Sequence, residues 1–325
     1  MTQARYRAAV LGKPIAHSLS PVLHNAAYKA LGLSEWFYDR HEVSDDELVA
    51  FVDSLVGDRA TYSENESGEQ WRGLSLTMPL KKRILTLGTT RDKWSQYLQV
   101  SNTAIFRRDE AKAVRPVAID LYNTDAFGIE AGLNDGAESS SITLRRVDGP
   151  CLVIGSGSTA ESAIAALSEL GATEITVAAR HFEKARPLKA IARDLGISAR
   201  LILLEEVPDF ISDMSSGGPG LRAVVSTIPA HAADGIAHGI AQMEGTPLRG
   251  VRLLDVVYDP RPSDLLVEAA RKGADAIGGE RMLLWQAVAQ VALMVGIERD
   301  EVPVQAMRAA LNEVVGKGTD DEHTR

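Results

Sequence analysis

Residues 151–171 read CLVIGSGSTAESAIAALSELG, and their reading decides the fold. Cys151–Ile154 is a short apolar run of strand character, and Ser158 opens a helical pattern that closes at Gly171. Between them, Gly155 and Gly157, with Ala160 in third place, match the form G-x-G-x-x-G/A after a strand and at the start of a helix. The missing Cβ atoms permit a tight turn and let backbone N–H groups approach a pyrophosphate, and the helix N-terminus adds a positive pole. A second strand, EITVAA at 174–179, follows at the distance a βαβ unit requires. Gly155, Gly157, Ser158 and Ala160 are therefore candidate dinucleotide-binding residues; the alternative is a turn with a purely structural job.

The end of the second strand selects the dinucleotide. A protein specific for NAD places an acid there for the ribose 2′-hydroxyl, whereas residues 178–184 read AARHFEK. Arg180 and Lys184 suit a 2′-phosphate, so NADP is the expected cofactor. Glu183 works against this if it turns inward, and both cations could instead be solvated surface charges.

Outward from this unit, short β-rich runs alternate with helical patterns: YRAAVLG then PVLHNAAYKALG, GLSLTMP then LKKRILTLG, and EITVAA then a helix ending near DLG. Strands apolar on both faces and alternating with helices give an α/β class with parallel sheets. Polar stretches at 61–70 and 135–149 read as a surface insertion and a connection between units. The expected organisation is an N-terminal α/β domain over 1–124, completed by C-terminal helices within 280–316, and a Rossmann-like domain over 125–279. A cleft separates them, and a polar tail occupies 317–325.

Composition narrows the function classes. The 325 residues are 45% hydrophobic and 24% charged, as in folded water-soluble proteins, with room for two domains. A net charge of −9 gives no basic surface for a phosphate backbone, so nucleic acid is not an expected partner. One cysteine, Cys151, excludes an intramolecular disulfide framework and reads as a small core residue. His17, His24 and His41 are too scattered for a metal triad, His24 reads as structural, and no metal is expected. The opening residues lack a signal-peptide pattern and no apolar run reaches about 18 residues, so a cytoplasmic location without membrane contact is expected.

Three further segments carry chemistry-bearing side chains. In GKPIAHSLSPVLHNAAYKALG, at 12–32, Ser20 and Pro21 read as N-cap and first residue of a helix, and Ser18 shares a face with Ser20. Two hydroxyls beside a helix N-terminus suit a carboxylate, as an alternative to simple capping. In GLSLTMPLKK, at 73–82, a strand runs into Pro79, and Lys81 falls in the first turn of the helix expected over LKKRILTL. A cation there opposes the helix dipole, which favours its neutral form and proton exchange, although a snorkelling surface lysine is the plainer account. In YNTDAFG, at 122–128, Asp125 is either an N-cap or a carboxylate facing Lys81.

Taken in series, GKPIAHSLSPVLHNAAY, SLTMPLK, SNT, YNTDAFG, GSGSTAES, STIP, DVVYDP and MLLWQA resemble the shikimate dehydrogenase family from residue 12 to about 296. The resemblance implies NADPH-dependent reduction of 3-dehydroshikimate to shikimate, a step of chorismate and aromatic amino-acid biosynthesis, by a monomer or homodimer. It implies that Ser18 and Ser20, with Tyr258, hold the substrate carboxylate. Thr77, Asn102, Asp125 and Gln286 would bind ring hydroxyls, and Lys81 and Asp125 would form the catalytic pair. Ser75 replaces an asparagine of the family pattern, Ala179 replaces the asparagine before the cofactor arginine, and His181, a further cofactor candidate, stands where threonine is usual. An NAD-dependent quinate or quinate/shikimate dehydrogenase and a non-catalytic NADP sensor are the competing expectations.

Overall fold

The computed structural model describes residues 5–56, 70–107, 118–135, 146–147, 149–218 and 220–321. Of the insertion expected at 61–70, residues 61–69 lie outside the described residues, as do 136–145 and 148 of the connection, while Gln70 begins a strand. The chain divides into two compact units, Met1–Thr124 with Gln286–Arg325, and Asp125–Trp285.

The first unit opens with β1 (Tyr6–Gly12), α1 (Ser20–Ala30), β2 (Trp36–Glu42), α2 (Leu48–Val56) and β3 (Gln70–Leu76). It continues through the two-residue β4 (Thr89–Thr90), α3 (Lys93–Leu98), β5 (Thr103–Arg107) and β6 (Ala118–Tyr122). Its six strands form one sheet in the order β2-β1-β3-β5-β6-β4. Leu11 of β1, Leu74 and Leu76 of β3, Phe106 of β5 and Leu121 of β6 bury one face of it against Leu48 and Val52 of α2. Each such apolar side chain contributes about 1.5–3 kcal/mol of burial.

This sheet corrects the parallel expectation. β1 runs parallel to β2 and β3, but β5 is antiparallel to both β3 and β6. The residues 108–117 that join β5 to β6 are fewer than the dozen or so a parallel crossover needs. The reversal brings the N-terminal end of β5 to the sheet edge where β1 and β3 finish.

The second unit contains α4 (Asp125–Asp135), β7 (Pro150–Ile154), α5 (Ser158–Glu169), β8 (Glu174–Ala179), α6 (Phe182–Asp194) and β9 (Ser198–Leu203). Then come α7 (Val207–Ser216), β10 (Ala223–Ser226), α8 (Asp234–Ala241), β11 (Arg252–Asp255), α9 (Asp264–Arg271) and β12 (Asp275–Ile277). All six strands are parallel, in the order β12-β11-β10-β7-β8-β9, the doubly wound arrangement whose order reverses beside β7. Cys151 and Val153 of β7 pack into one apolar cluster with α5 and α6, while Leu152 and Ile154 pack into another with α7, α8 and α9. That two-sided burial is why the run reads as uninterruptedly apolar.

The chain ends with α10 (Gly279–Val295), in which the division between units falls at Gln286, and α11 (Val304–Asp321). α11 continues past residue 316, where the sequence pattern was expected to end, and it packs on α1.

Candidate active site

Four backbone hydrogen bonds gather the chemistry-bearing segments of the first unit at one sheet edge. Thr77 N donates to Leu11 O at 2.9 Å, joining the end of β3 to the end of β1. Leu76 N donates to Asn102 O at 2.8 Å and Ser101 N to Lys81 O at 2.9 Å, joining the lysine segment to the SNT segment. Asn102 N donates to Tyr122 O at 3.1 Å, adding the end of β6.

The loop from Gly12 to Ser20 carries the serine pair. Ser18 and Ser20 are both buried, and Ser20 N donates to Ser18 Oγ at 3.4 Å. Ser20 is not the N-cap expected: it is the first residue of α1, Leu19 occupies the cap position, and no side chain caps the helix. Pro21 follows at the helix start, where its missing N–H costs nothing. Ser20 Oγ thus belongs to the first turn itself, and Ser18 Oγ stands beside it as acceptor of the Ser20 N–H. Arg40 of β2 donates from Nη1 to Ala16 O at 2.6 Å and to Ser18 O at 3.3 Å, which fixes the loop.

Gly12 lets the loop pass close to β3. A Cβ there would stand 2.3 Å from Thr77 Cγ2 and 3.1 Å from Met78 O, far inside van der Waals contact.

Lys81 is half-buried, and the α-helix expected after Pro79 is absent: a 3-10 turn spans Arg83–Thr86 instead. An α-helix needs the Lys81 carbonyl to accept from residue 85, but that carbonyl accepts from Ser101 N, and Leu85 N turns to Lys82 O at 3.3 Å. The helix-dipole account of Lys81 falls with the helix. What holds the residue is its backbone link to the SNT segment and the burial of Leu80 and Ile84 on either side.

Asn102 is 2% exposed and its amide orientation is fixed by an obligate donor: Thr124 N donates to Asn102 Oδ1 at 2.8 Å. Its Nδ2 donates to Thr124 Oγ1 at 2.9 Å. Asp125, next in the chain, is buried and opens α4 with an acid in its first turn, where the dipole favours a negative charge. Gln286, also buried, lies on α10 one turn before Gln290 and on the same face.

Four polar residues of this region were not singled out as a group by the sequence. Tyr38 OH donates to Ser75 Oγ at 2.6 Å, and Ser75 Oγ donates to Gln290 Oε1 at 2.7 Å. The His24 ring stacks on Tyr38 at 3.8 Å between centroids, and its Nε2 lies 3.3 Å from Gln290 Oε1. Burial pushes His24 down to about 3, so the ring is neutral near pH 7 and donates from Nε2. Ser75, the departure from the family asparagine, is thus part of the scaffold on this side.

In the second unit Gly155 has φ +124°, open to glycine and strained for other residues, and a Cβ there would stand 2.3 Å from Thr227 Oγ1. Gly157 is the N-cap of α5, and a Cβ there would meet nothing within 4 Å, so the turn faces open space on that side. Ser158 begins the helix and Ala160 is fully buried beneath it. These features fit a pyrophosphate at the N-terminus of α5. Arg180, His181 and Lys184 are all exposed at the end of β8 and the start of α6, with His181 in the N-cap position. Glu183 is exposed and pairs with Arg186 at 3.0 Å on the surface.

Tyr258 lies in the loop after β11, where burial raises its hydroxyl above the ordinary value. Asp255 anchors that loop: it accepts from Ser263 Oγ at 2.6 Å and from Val257 N at 3.4 Å. Among the described residues no group of three His, Cys, Asp or Glu side chains is arranged to hold a metal ion, and no helix is long and apolar enough to cross a membrane.

Comparison with known proteins gives consistent matches to both units. Residues 10–104 match the family model for the shikimate dehydrogenase substrate binding domain, and residues 141–215 that for shikimate / quinate 5-dehydrogenase. A shikimate dehydrogenase (NADP(+)) of Methanothermobacter thermautotrophicus is 30% identical over 95% of this chain and 96% of its own. The crystal structure of Mycobacterium tuberculosis shikimate dehydrogenase superposes with a TM-score of 0.74 at 34% identity, over 95% of this chain and 99% of that one. A shikimate 5-dehydrogenase from Thermus thermophilus, in complex with NADP(H) and shikimate, gives 0.67 at 26% identity, over 94% and 99%.

Proposed function

The chain belongs to the shikimate dehydrogenase family, and from this we infer that it catalyses the reversible NADPH-dependent reduction of 3-dehydroshikimate to shikimate. The observation that carries the reading is the joining of the serine, lysine and SNT segments at one sheet edge by the hydrogen bonds of Thr77, Leu76 and Ser101.

The roles assigned to the residues follow the family motifs they match. Ser18 and Ser20 hold the ring carboxylate at the start of α1, with Tyr258 as a further donor; hydrogen bonds to a charged group are worth about 1.5–3 kcal/mol each. Thr77, Asn102 and Gln286 bind ring hydroxyls, and the fixed amide of Asn102 lets it discriminate hydroxyl position. The reduced nicotinamide, when bound, supplies a hydride to the carbonyl carbon. Lys81 gives a proton to the carbonyl oxygen, so that C=O becomes CH–OH, and Asp125 partners the lysine in handling that proton. In the reverse direction Lys81 takes the hydroxyl proton back.

Gly155, Gly157, Ser158 and Ala160 receive the pyrophosphate and Arg180, His181 and Lys184 the 2′-phosphate. The exposed guanidinium at the end of β8, where an NAD-specific protein places an acid, supports NADP over NAD.

Steady-state rates measured by nicotinamide absorbance, with shikimate or quinate and with NADP+ or NAD+, test the reading. Shikimate with NADP+ is expected to give the highest kcat/KM of the four combinations. A quinate and NAD+ optimum overturns it.

A further inference from the structure

A single polar chain runs through the first unit into Asn102, and its direction is set by groups that can act in one sense only. At one end, Thr124 N can only donate, so the Asn102 atom it meets at 2.8 Å is Oδ1. At the other, Asn102 O can only accept, so the Gln290 atom facing it at 3.4 Å is Nε2. Gln290 Nε2 also donates to Thr103 Oγ1 at 3.1 Å. Asn102 Oδ1 can only accept, so the contact of Thr103 Oγ1 with it at 3.0 Å uses the Thr103 proton, while the same hydroxyl oxygen accepts from Gln290. Gln290 is itself held at Oε1 by Ser75 Oγ and His24 Nε2, and Ser75 by Tyr38 OH. Donation therefore passes one way, from Tyr38 through Ser75 to Gln290, and from Gln290 through Thr103 to Asn102.

We propose that Gln290 is a positioning residue for the reaction: through Thr103 it gives Asn102 Oδ1 a second donor beside Thr124 N, and so holds the amide more tightly in the orientation that receives a substrate hydroxyl. Gln290 is 1% exposed, so it lies behind Asn102 and acts through its neighbours. A leucine at 290 keeps the volume and removes the donor to Thr103, and also the acceptor of Ser75 Oγ and His24 Nε2; Thr103→Val breaks the link to Asn102 without touching those two. The inference rests on Asn102 being a substrate ligand, as proposed above, and deepens that assignment.

The test is a double-mutant cycle read as the dissociation constant of shikimate by titration calorimetry, with that of NADP+ as control. Asn102→Ala alone is expected to weaken shikimate binding, and Gln290→Leu alone to weaken it about three- to tenfold, each with NADP+ binding unchanged. In the Asn102→Ala background Gln290→Leu is expected to add nothing. Thr103→Val, which breaks the last link, gives the same pattern and serves if the leucine variant does not fold. Equal weakening in both backgrounds, parallel weakening for NADP+, or no effect of either variant beside a clear effect of Asn102→Ala overturns the positioning role. No effect of Asn102→Ala itself overturns the underlying assignment of Asn102 instead.

Discussion

Replacing Gly12 with alanine tests how the site is spaced. The new methyl carbon would stand 2.3 Å from Thr77 Cγ2, 3.1 Å from Met78 O and 3.3 Å from Ile15 Cδ1. Carbon atoms rest about 3.5–4.0 Å apart, so the threonine contact cannot persist. The backbone cannot easily yield, because β1 and β3 pair from Tyr6 to Leu11 and Lys13 N is bonded to Met78 O at 3.0 Å. The cheaper relief is rotation of Thr77 to another staggered position, which moves Oγ1 with Cγ2. Losing one hydroxyl contact to the substrate costs about 0.5–1.5 kcal/mol, or about two- to thirteenfold in affinity, and residual overpacking costs about 1–3 kcal/mol of stability. Gly12→Ala is therefore expected to raise KM for shikimate several-fold, to leave KM for NADP+ within about twofold because distant sites are nearly independent, and to lower Tm. Steady-state kinetics and a thermal melt measure all three. A lowered Tm with KM for shikimate unchanged refutes the reasoning, since Thr77 would then have moved without consequence.

Arg180→Ser is expected to raise KM for NADP+ by about ten- to a hundredfold, the worth of charge-assisted bonds to the 2′-phosphate, with little change for NAD+; equal losses for both cofactors contradict the assignment. His24 is held at about 3, against an ordinary value of 6.5. Between those values the unfolded chain takes up a proton the folded ring refuses, so its contribution is complete above pH 6.5 and is lost by about 1.4 kcal/mol per pH unit as pH falls below it. Urea denaturation of wild type and His24→Asn should then show a stability gap that narrows from pH 6.5 to 5.5, and parallel profiles would show that the ring does not titrate this way. Burial pushes the Cys151 thiol up to about 12, so iodoacetamide should leave the native protein unlabelled and modify one thiol after unfolding; rapid native labelling contradicts the buried placement.

The nucleotide-binding unit was legible because its strands are buried on both faces and its turn needs glycine for a steric reason: Gly155 at φ +124° and Gly171 at φ +84° both take conformations that other residues resist. The first sheet was less legible. An antiparallel β5 has the same apolar run as a parallel one, and only the short link at 108–117 betrays the reversal. The local pattern of LKKRILTL favours a helix, yet a long-range bond from Ser101 N to Lys81 O overrides it, and no periodicity encodes that bond. Ser18 and Lys81 stood out by position, but their roles, and Thr77 and Asn102 altogether, came from motif resemblance, since a buried serine or asparagine looks alike in a cap, a scaffold or a site. Gln290 was missed for the converse reason: it sits in the apolar helix AVAQVALMV, 188 residues from Asn102, and only the fold brings them together.

The most direct measurement is the turnover of Lys81→Ala with shikimate and NADP+, set beside its shikimate dissociation constant. Loss of a proton-transfer group predicts a kcat lower by about a hundredfold or more with binding changed only a few-fold. A kcat equal to that of the wild type would remove Lys81 from the chemistry and contradict the account at its centre.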